Sequence, residues 1–234
     1  MRLKLVIFAG TVGAGKSTHL RLLQNYLLKK GIATKATSLK SAHLFAHSLL
    51  WIIAKLYSIR KSNLPIITAI NETYPTLFKS FSFLFTFLDA LSIVIKDLIN
   101  IQLPLKFGKM VLVEEYLPAT VLDYFVMFRV RKVIPYKYFN FIYKLCARIL
   151  ALAKHQGSLV FFFDAPNALL YKRYKDERYF VERKTYLDLQ RKLLPRLYSN
   201  LLKDRIIYVI TSNPISQVQH VIRNEIDKVL NLDS

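Results

Sequence analysis

Cysteine is almost missing from this chain: Cys146 is the single one. That excludes an intrachain disulfide and a cysteine-based zinc cluster, and it leads us to expect a reducing, cytoplasmic setting. Acidic residues are scarce too, with 15 Asp and Glu against 35 Lys and Arg, giving a formal charge of +20 at pH 7. A field of that sign attracts polyanions, so nucleotides, nucleic acid and anionic membrane are all compatible partners, and charge alone selects none of them. A solvated basic surface that keeps an apolar protein soluble is the bland alternative. Internal repeats and low-complexity tracts are lacking, as are an RNA-recognition motif, a zinc finger and a heptad zipper. Aromatic and basic residues do mix over 119–155, but such aromatics are more often core than a stacking platform for single strands. No uncharged stretch reaches the ~20 residues of a membrane span: the best candidate, Phe81 to Leu103, is interrupted by Asp89, Lys96 and Asp97. Its reading is a buried or partner-facing helix, with surface attachment compatible because cations flank apolar stretches. With the first apolar run beginning at Leu3, a cleavable secretory signal is not expected.

What is present is a hydrophobic content of 53%, well outside the range of disordered chains. A chain of 234 residues can bury one substantial core. The expectation is one domain over 1–234, with a helical elaboration at about 41–107 and a lid at about 171–186.

The sharpest motif is Gly10-Thr11-Val12-Gly13-Ala14-Gly15-Lys16-Ser17, which fits Gly, four residues, Gly-Lys-Ser/Thr without a mismatch. Small residues let backbone N–H groups curl round an anion, Lys16 can reach β- and γ-phosphates, and the Ser17 hydroxyl can ligate Mg²⁺. The apolar run Leu3 to Ala9 before it suits a buried parallel strand, and Ser17 to Lys30 after it has helical spacing. The helix N-terminus would then face the phosphates.

Further strands are expected at Ile32 to Leu39, Lys109 to Val113, Gly157 to Phe163 and Arg205 to Thr211. Helices are expected at Ser41 to Leu56 with Ser41 as cap, Ala119 to Lys132, Tyr136 to His155, Leu169 to Leu202 and Ile215 to Leu230. The stretch Arg60 to Pro75 reads as a loop broken by Pro65 and Pro75, and Pro104 with Gly108 as the end of the apolar helix. Strands alternating with helices argue for a five-stranded parallel α/β sheet with helices on both faces. Glu114 and Glu115 stand at the end of the third strand, where open α/β sheets bind ligands. A carboxylate there can orient Mg²⁺. His43 and His47 have a metal-compatible spacing but no third ligand nearby, so they read as ordinary helical histidines.

Four stretches in this order resemble thymidylate kinase and the nucleoside monophosphate kinase group over nearly the whole chain: Phe8 to Thr18 (FAGTVGAGKST), Val111 to Tyr116 (VLVEEY), Phe163 to Arg173 (FDAPNALLYKR) and Ile207 to Asn213 (IYVITSN). The resemblance implies a P-loop NTPase sheet with a small helical lid, ATP as donor, Mg²⁺, and transfer to a monophosphate, thymidylate foremost. It also implies donor contacts from Gly10 to Thr18 and from Asn213, acceptor contacts from Glu115 and Tyr116, and metal contacts from Ser17 and Glu114. A homodimer through the apolar helices is common in that group. Some members carry a catalytic arginine in the loop and others in the lid. Here the loop position is Gly13, which points to Arg173 or Arg178 beside Lys16 and Glu114 in the catalytic set. The chain departs from the family at Val12 and Ala9, at Glu115 where an arginine is usual, and at Ser38-Leu39-Lys40-Ser41 where Arg-Glu-Pro is usual. These departures touch the acceptor side and leave open a kinase for another acceptor, such as a nucleoside or a lipid-linked or other phosphorylated metabolite. An ATPase that acts on nucleic acid or membrane is the remaining alternative.

Overall fold

The computed structural model describes residues 3–59, 65–153, 157–177, 184–202 and 206–230. At its centre β1 (Leu5–Gly10) is buried along its whole length, because both of its faces are covered. Leu5, Ile7 and Ala9 join one apolar cluster, and Val6 and Phe8 join another on the opposite side of the sheet. Continuous apolar runs are what a strand buried on both faces requires. β2 (Thr34–Ser38), β3 (Met110–Glu114), β4 (Ser158–Asp164) and β5 (Ile206–Ile210) complete one sheet in the order β2-β3-β1-β4-β5. Every pairing is parallel, with Leu5 opposite Val111 on one side and Ser158 on the other. The chain is thus α/β, and all five strands end at the same edge.

One face carries α1 (Lys16–Lys29) and α10 (Ile215–Leu230), whose Leu20, Leu23, Val218 and Ile222 close over Phe8, Phe161 and Phe163. The Phe8 and Phe163 rings stack at 5.5 Å, and a fully buried Phe stabilises the fold by about 2–3 kcal/mol. The other face carries a thicker helical layer. It comprises α2 (Leu44–Leu56), α3 (Ile66–Thr73), α4 (Pro75–Asp97), α5 (Leu103–Lys106), α6 (Leu117–Phe125), α7 (Tyr136–Ala153) and much of α9 (Lys184–Leu202). α8 (Asn167–Glu177) follows β4.

Several expectations change. The stretch read as a loop between Arg60 and Pro75 contains α3, because Pro65 stands just ahead of the helix and Pro75 opens α4 at its first turn, where a missing N–H costs nothing. Pro104 does not end the apolar helix. A π-helical turn over Leu98–Gln102 widens the backbone, and the chain continues helically through Lys106 before Gly108 turns it at φ 75°. A second π-helical turn, Val126–Val130, extends α6. Ser41 does not cap α2, since His43 occupies the position before the helix, and the Ser41 hydroxyl donates to Asp123 instead at 2.6 Å. The segment expected as one helix from Leu169 to Leu202 is described as α8 and α9, and the lid candidate Arg178 lies outside the described residues.

Candidate active site

The strand ends bring the site together. Gly10 leaves β1 at φ 131°, with Gly13 and Gly15 also in the left-handed half of backbone space. A Cβ on Gly10 would lie 1.9 Å from the Phe163 carbonyl oxygen, so the close passage of β1 past β4 admits only glycine. Gly15 precedes α1 with no side chain capping the helix and no acidic residue in its first turn. The first N–H groups therefore remain available to an anion, as phosphate binding needs. Around this loop lies a groove of about 620 Å³, lined by Val12 to Thr18 together with Arg21, Glu114, Arg173, Thr211 and Asn213.

Within the groove, the Lys16 ammonium is buried and donates to the carbonyls of Gly10 (3.2 Å) and Thr11 (2.8 Å), and it stands 3.4 Å from Glu115. Ser17 donates to the Glu114 carboxylate at 2.7 Å. Hydroxyl and carboxylate thus meet beside the loop lysine, a donor set that suits a hard divalent cation completed by phosphate oxygens and water. Among the described residues no cluster of three or more His, Cys, Asp or Glu could hold a metal by itself.

Two arginines brace the groove. Arg173 reaches from α8 to the carbonyl of Gly13 (3.1 Å) and to both the hydroxyl (3.1 Å) and carbonyl (2.7 Å) of Thr211, joining the loop to the end of β5. Arg191 from α9 grips Asp164 at 2.9 Å, while Asp164 accepts from the Thr11 hydroxyl at 3.0 Å. Beneath α1, buried His19 accepts from Gln219 at 2.8 Å. Burial, followed by the charge of Arg173, lowers His19 to about 4, so its ring is neutral at pH 7.

Behind the groove lies a second cavity of about 430 Å³. Its apolar floor includes Ile66, Ile67, Leu122, Val126 and Met127, and its polar groups include Lys40, His43, Asp123, Arg131 and Gln190. Val12, Lys40, Pro65 and Glu115 line both spaces. Burial works to raise Glu115, but Lys40 and Lys16 outweigh it and hold the carboxyl at about 2. Glu115 in turn is the largest influence raising Lys40, from which it lies 3.4 Å. Glu115 also has φ 53°, a conformation that costs a non-glycine residue about 1–2 kcal/mol, and its N–H donates to the Phe8 carbonyl at 2.9 Å. Asp123 accepts from Ser41 and Tyr186, each at 2.6 Å, and its removal from water raises it. Burial, then Lys96 and Lys40, lower His43 to about 4.

Of the residues singled out from sequence, the groove gathers Val12 through Thr18, Glu114, Glu115, Arg173 and Asn213, with Gly10 and Thr11 carrying the turn behind them. Tyr116 goes elsewhere: fully buried, it donates its hydroxyl to Asp97 at 3.0 Å and lines neither space, because β3 ends at Glu114 and the left-handed turn at Glu115 sends Tyr116 into the cluster with Val111 and Val113. Lys40, Asp123, Arg131, Arg191 and Gln190 were not among the expected site residues. Asp123 had a legible signal, as the one carboxylate in the otherwise apolar run LPATVLDYF.

No model of a known protein family matches the chain, and no curated protein matches it. The chemistry of this edge has to be read from its own residues. It offers a buried cation and free helix N–H groups for phosphates, an oxygen pair for a divalent cation, and an adjoining apolar cavity with ionisable walls.

Proposed function

We propose that the chain is an ATP-dependent phosphotransferase of the P-loop NTPase class, moving the γ-phosphoryl group to an acceptor held in the cavity lined by Asp123 and Arg131. The observation that carries this reading is the meeting of Ser17 and Glu114 at 2.7 Å beside Lys16. The strand order and the glycine loop directly after β1 support the fold assignment. Lys16 would neutralise charge on the β- and γ-phosphates, and the α1 N–H groups would orient them. Ser17 and Glu114 would hold Mg²⁺, which supplies neutralisation of the transferring group. Arg173, fixed to Gly13 and Thr211, would add positive charge at the same place, with Arg178 the second arginine of the proposal.

The resemblance makes thymidylate the first acceptor to test, with its base on the apolar floor and its phosphate toward Lys40 and Arg131. A second reading has one observation in its favour: Glu115 already neutralises Lys40, and Asp123 adds a further carboxylate, which suits an acceptor bearing a hydroxyl and no phosphate. The deciding experiment is ADP release from purified protein with ATP and Mg²⁺, using nucleoside monophosphates, nucleosides and no acceptor. Release that requires thymidylate supports the first reading, release with a nucleoside alone supports the second, and slow release indifferent to every acceptor sinks both.

A further inference from the structure

The outer surface of the helical layer is unlike the rest of the molecule. Along α4 and into the π-helical turn that follows it, Phe83, Phe87, Leu91, Val94 and Leu98 recur at helical spacing and are all exposed, between 40% and 64%. They form a stripe about 22 Å long at 1.5 Å per residue. α2 packs along α4 and adds Trp51 and Leu56, exposed by 55% and 74%. α7 meets the other side, with Tyr138 against Phe83.

Charge on this layer has one sign toward water. Helices α2 to α7 contain Glu72, Asp89, Asp97 and Asp123 as their only carboxylates. Asp89 and Asp97 are buried and bonded to Tyr124 and Tyr116, Asp123 is bonded in the cavity wall, and Glu72 faces Arg131 at 3.8 Å. None of them is exposed. The cations are: Lys55, Lys79, Lys137, Lys144 and Arg148 all reach solvent. Lys55 lies over the Trp51 ring and Lys137 over the Tyr138 ring, at 5.4 and 5.2 Å.

We propose that this face docks on the surface of an anionic lipid bilayer, with the α4 stripe in the acyl boundary and the lysines at the headgroups. An apolar face rimmed by lysines that rest on aromatic rings matches the layering of a bilayer interface. A second copy of the chain fits worse, because an isologous contact would bring the cationic rims together with no exposed carboxylate to pair them. By length and composition the helical run Pro75–Lys106 could cross a membrane, yet 44% of its most apolar window is buried in the protein. Its inner side holds Asp89, Ser92 and Asp97 in the core, so α4 lies on the bilayer and does not span it.

The test is independent of nucleotide chemistry and needs no ATP. Full-length protein is sedimented with vesicles of phosphatidylcholine alone and of phosphatidylcholine mixed with phosphatidylglycerol. Binding should be tighter to the mixed vesicles by about tenfold or more and should weaken with salt. The double substitution Phe87→Glu with Leu91→Glu should cut that binding by about tenfold or more, whereas Val221→Glu on α10, also exposed, should leave it unchanged. Sedimentation velocity without lipid should give a monomer for each protein. Equal loss from both sets of substitutions, or no preference for anionic vesicles, overturns the proposal. So does a stable dimer that Phe87→Glu with Leu91→Glu takes apart, which would assign the face to a second copy.

Discussion

The glycine-loop groove takes nearly half of its lining from one unbroken stretch, Val12 to His19, whose glycines leave backbone open to a ligand. The cavity behind it is assembled from side chains of residues as far apart as Val12 and Gln190, on α2, α3, α6 and α9. One space is made by what the chain cannot carry at Gly10, Gly13 and Gly15, the other by what distant helices happen to point inward. Damage should therefore spread differently in the two. A backbone site fails through geometry and stability, while a side-chain site loses selectivity piece by piece.

Lys16→Ala should have the largest effect, lowering turnover by about 10³-fold and weakening nucleotide binding, because the one buried ammonium at the loop is lost. Steady-state rates with calorimetric nucleotide binding check this, and unchanged turnover would remove the loop from the mechanism. Gly10→Ala comes next, and its damage should appear in folding. The clash at the Phe163 carbonyl should cost about 3 kcal/mol or more, a fall in Tm of about 6–12 °C. Gly108→Ala, with open space around it, should cost only about 1 kcal/mol in the same thermal scan.

A smaller, selective effect is expected in the cavity. Asp123→Asn weakens the hold on Ser41 and Tyr186, so KM for the acceptor should rise about tenfold while the Kd for nucleotide stays put. If both constants move together, the two spaces are not separable in the way their construction suggests.

The smallest effect is a pH dependence. Asp89 supports the cavity rim by accepting from the Ala42 N–H at 2.8 Å, and burial pushes its carboxyl up to about 7. Between the ordinary aspartate value and 7 the folded protein keeps this proton and the unfolded chain does not, so the Asp89 contribution to stability declines as pH rises. The deficit of Asp89→Asn relative to the parent should therefore shrink from pH 4 to pH 7, by at most about 1.4 kcal/mol per unit. Urea unfolding at several pH values reads it directly, and a constant deficit would mean that Asp89 is charged throughout.

The same contrast explains what could be read before folding. Loop, flanking strand and helix are contiguous, so glycine spacing and hydrophobic period announce them together. Glu114 was legible because a strand end carries a chemical consequence. Tyr116, two residues on, was misplaced because nothing local says which way a side chain turns as a strand ends. Lys40, Arg131 and Gln190 carry no pattern at all, since only the docking of α2, α6 and α9 against the sheet makes them neighbours. α3 is hidden in the sequence because proline reads as an interruption at both ends, whereas Pro65 and Pro75 each stand at a helix start.

Glu115 gives the protein a property that neither space has alone. Its carboxylate stands 3.4 Å from Lys16 on the groove side and 3.4 Å from Lys40 on the cavity side. A phosphate that recruits Lys16 releases part of that carboxylate to Lys40, and an anion that recruits Lys40 releases it to Lys16. Occupancy on either side thereby alters the terms offered on the other, and equilibrium requires the two alterations to be equal in size. Under the proposed function, donor and acceptor affinities would in this sense be one shared quantity, set by a single side chain held in a backbone conformation that few residues accept.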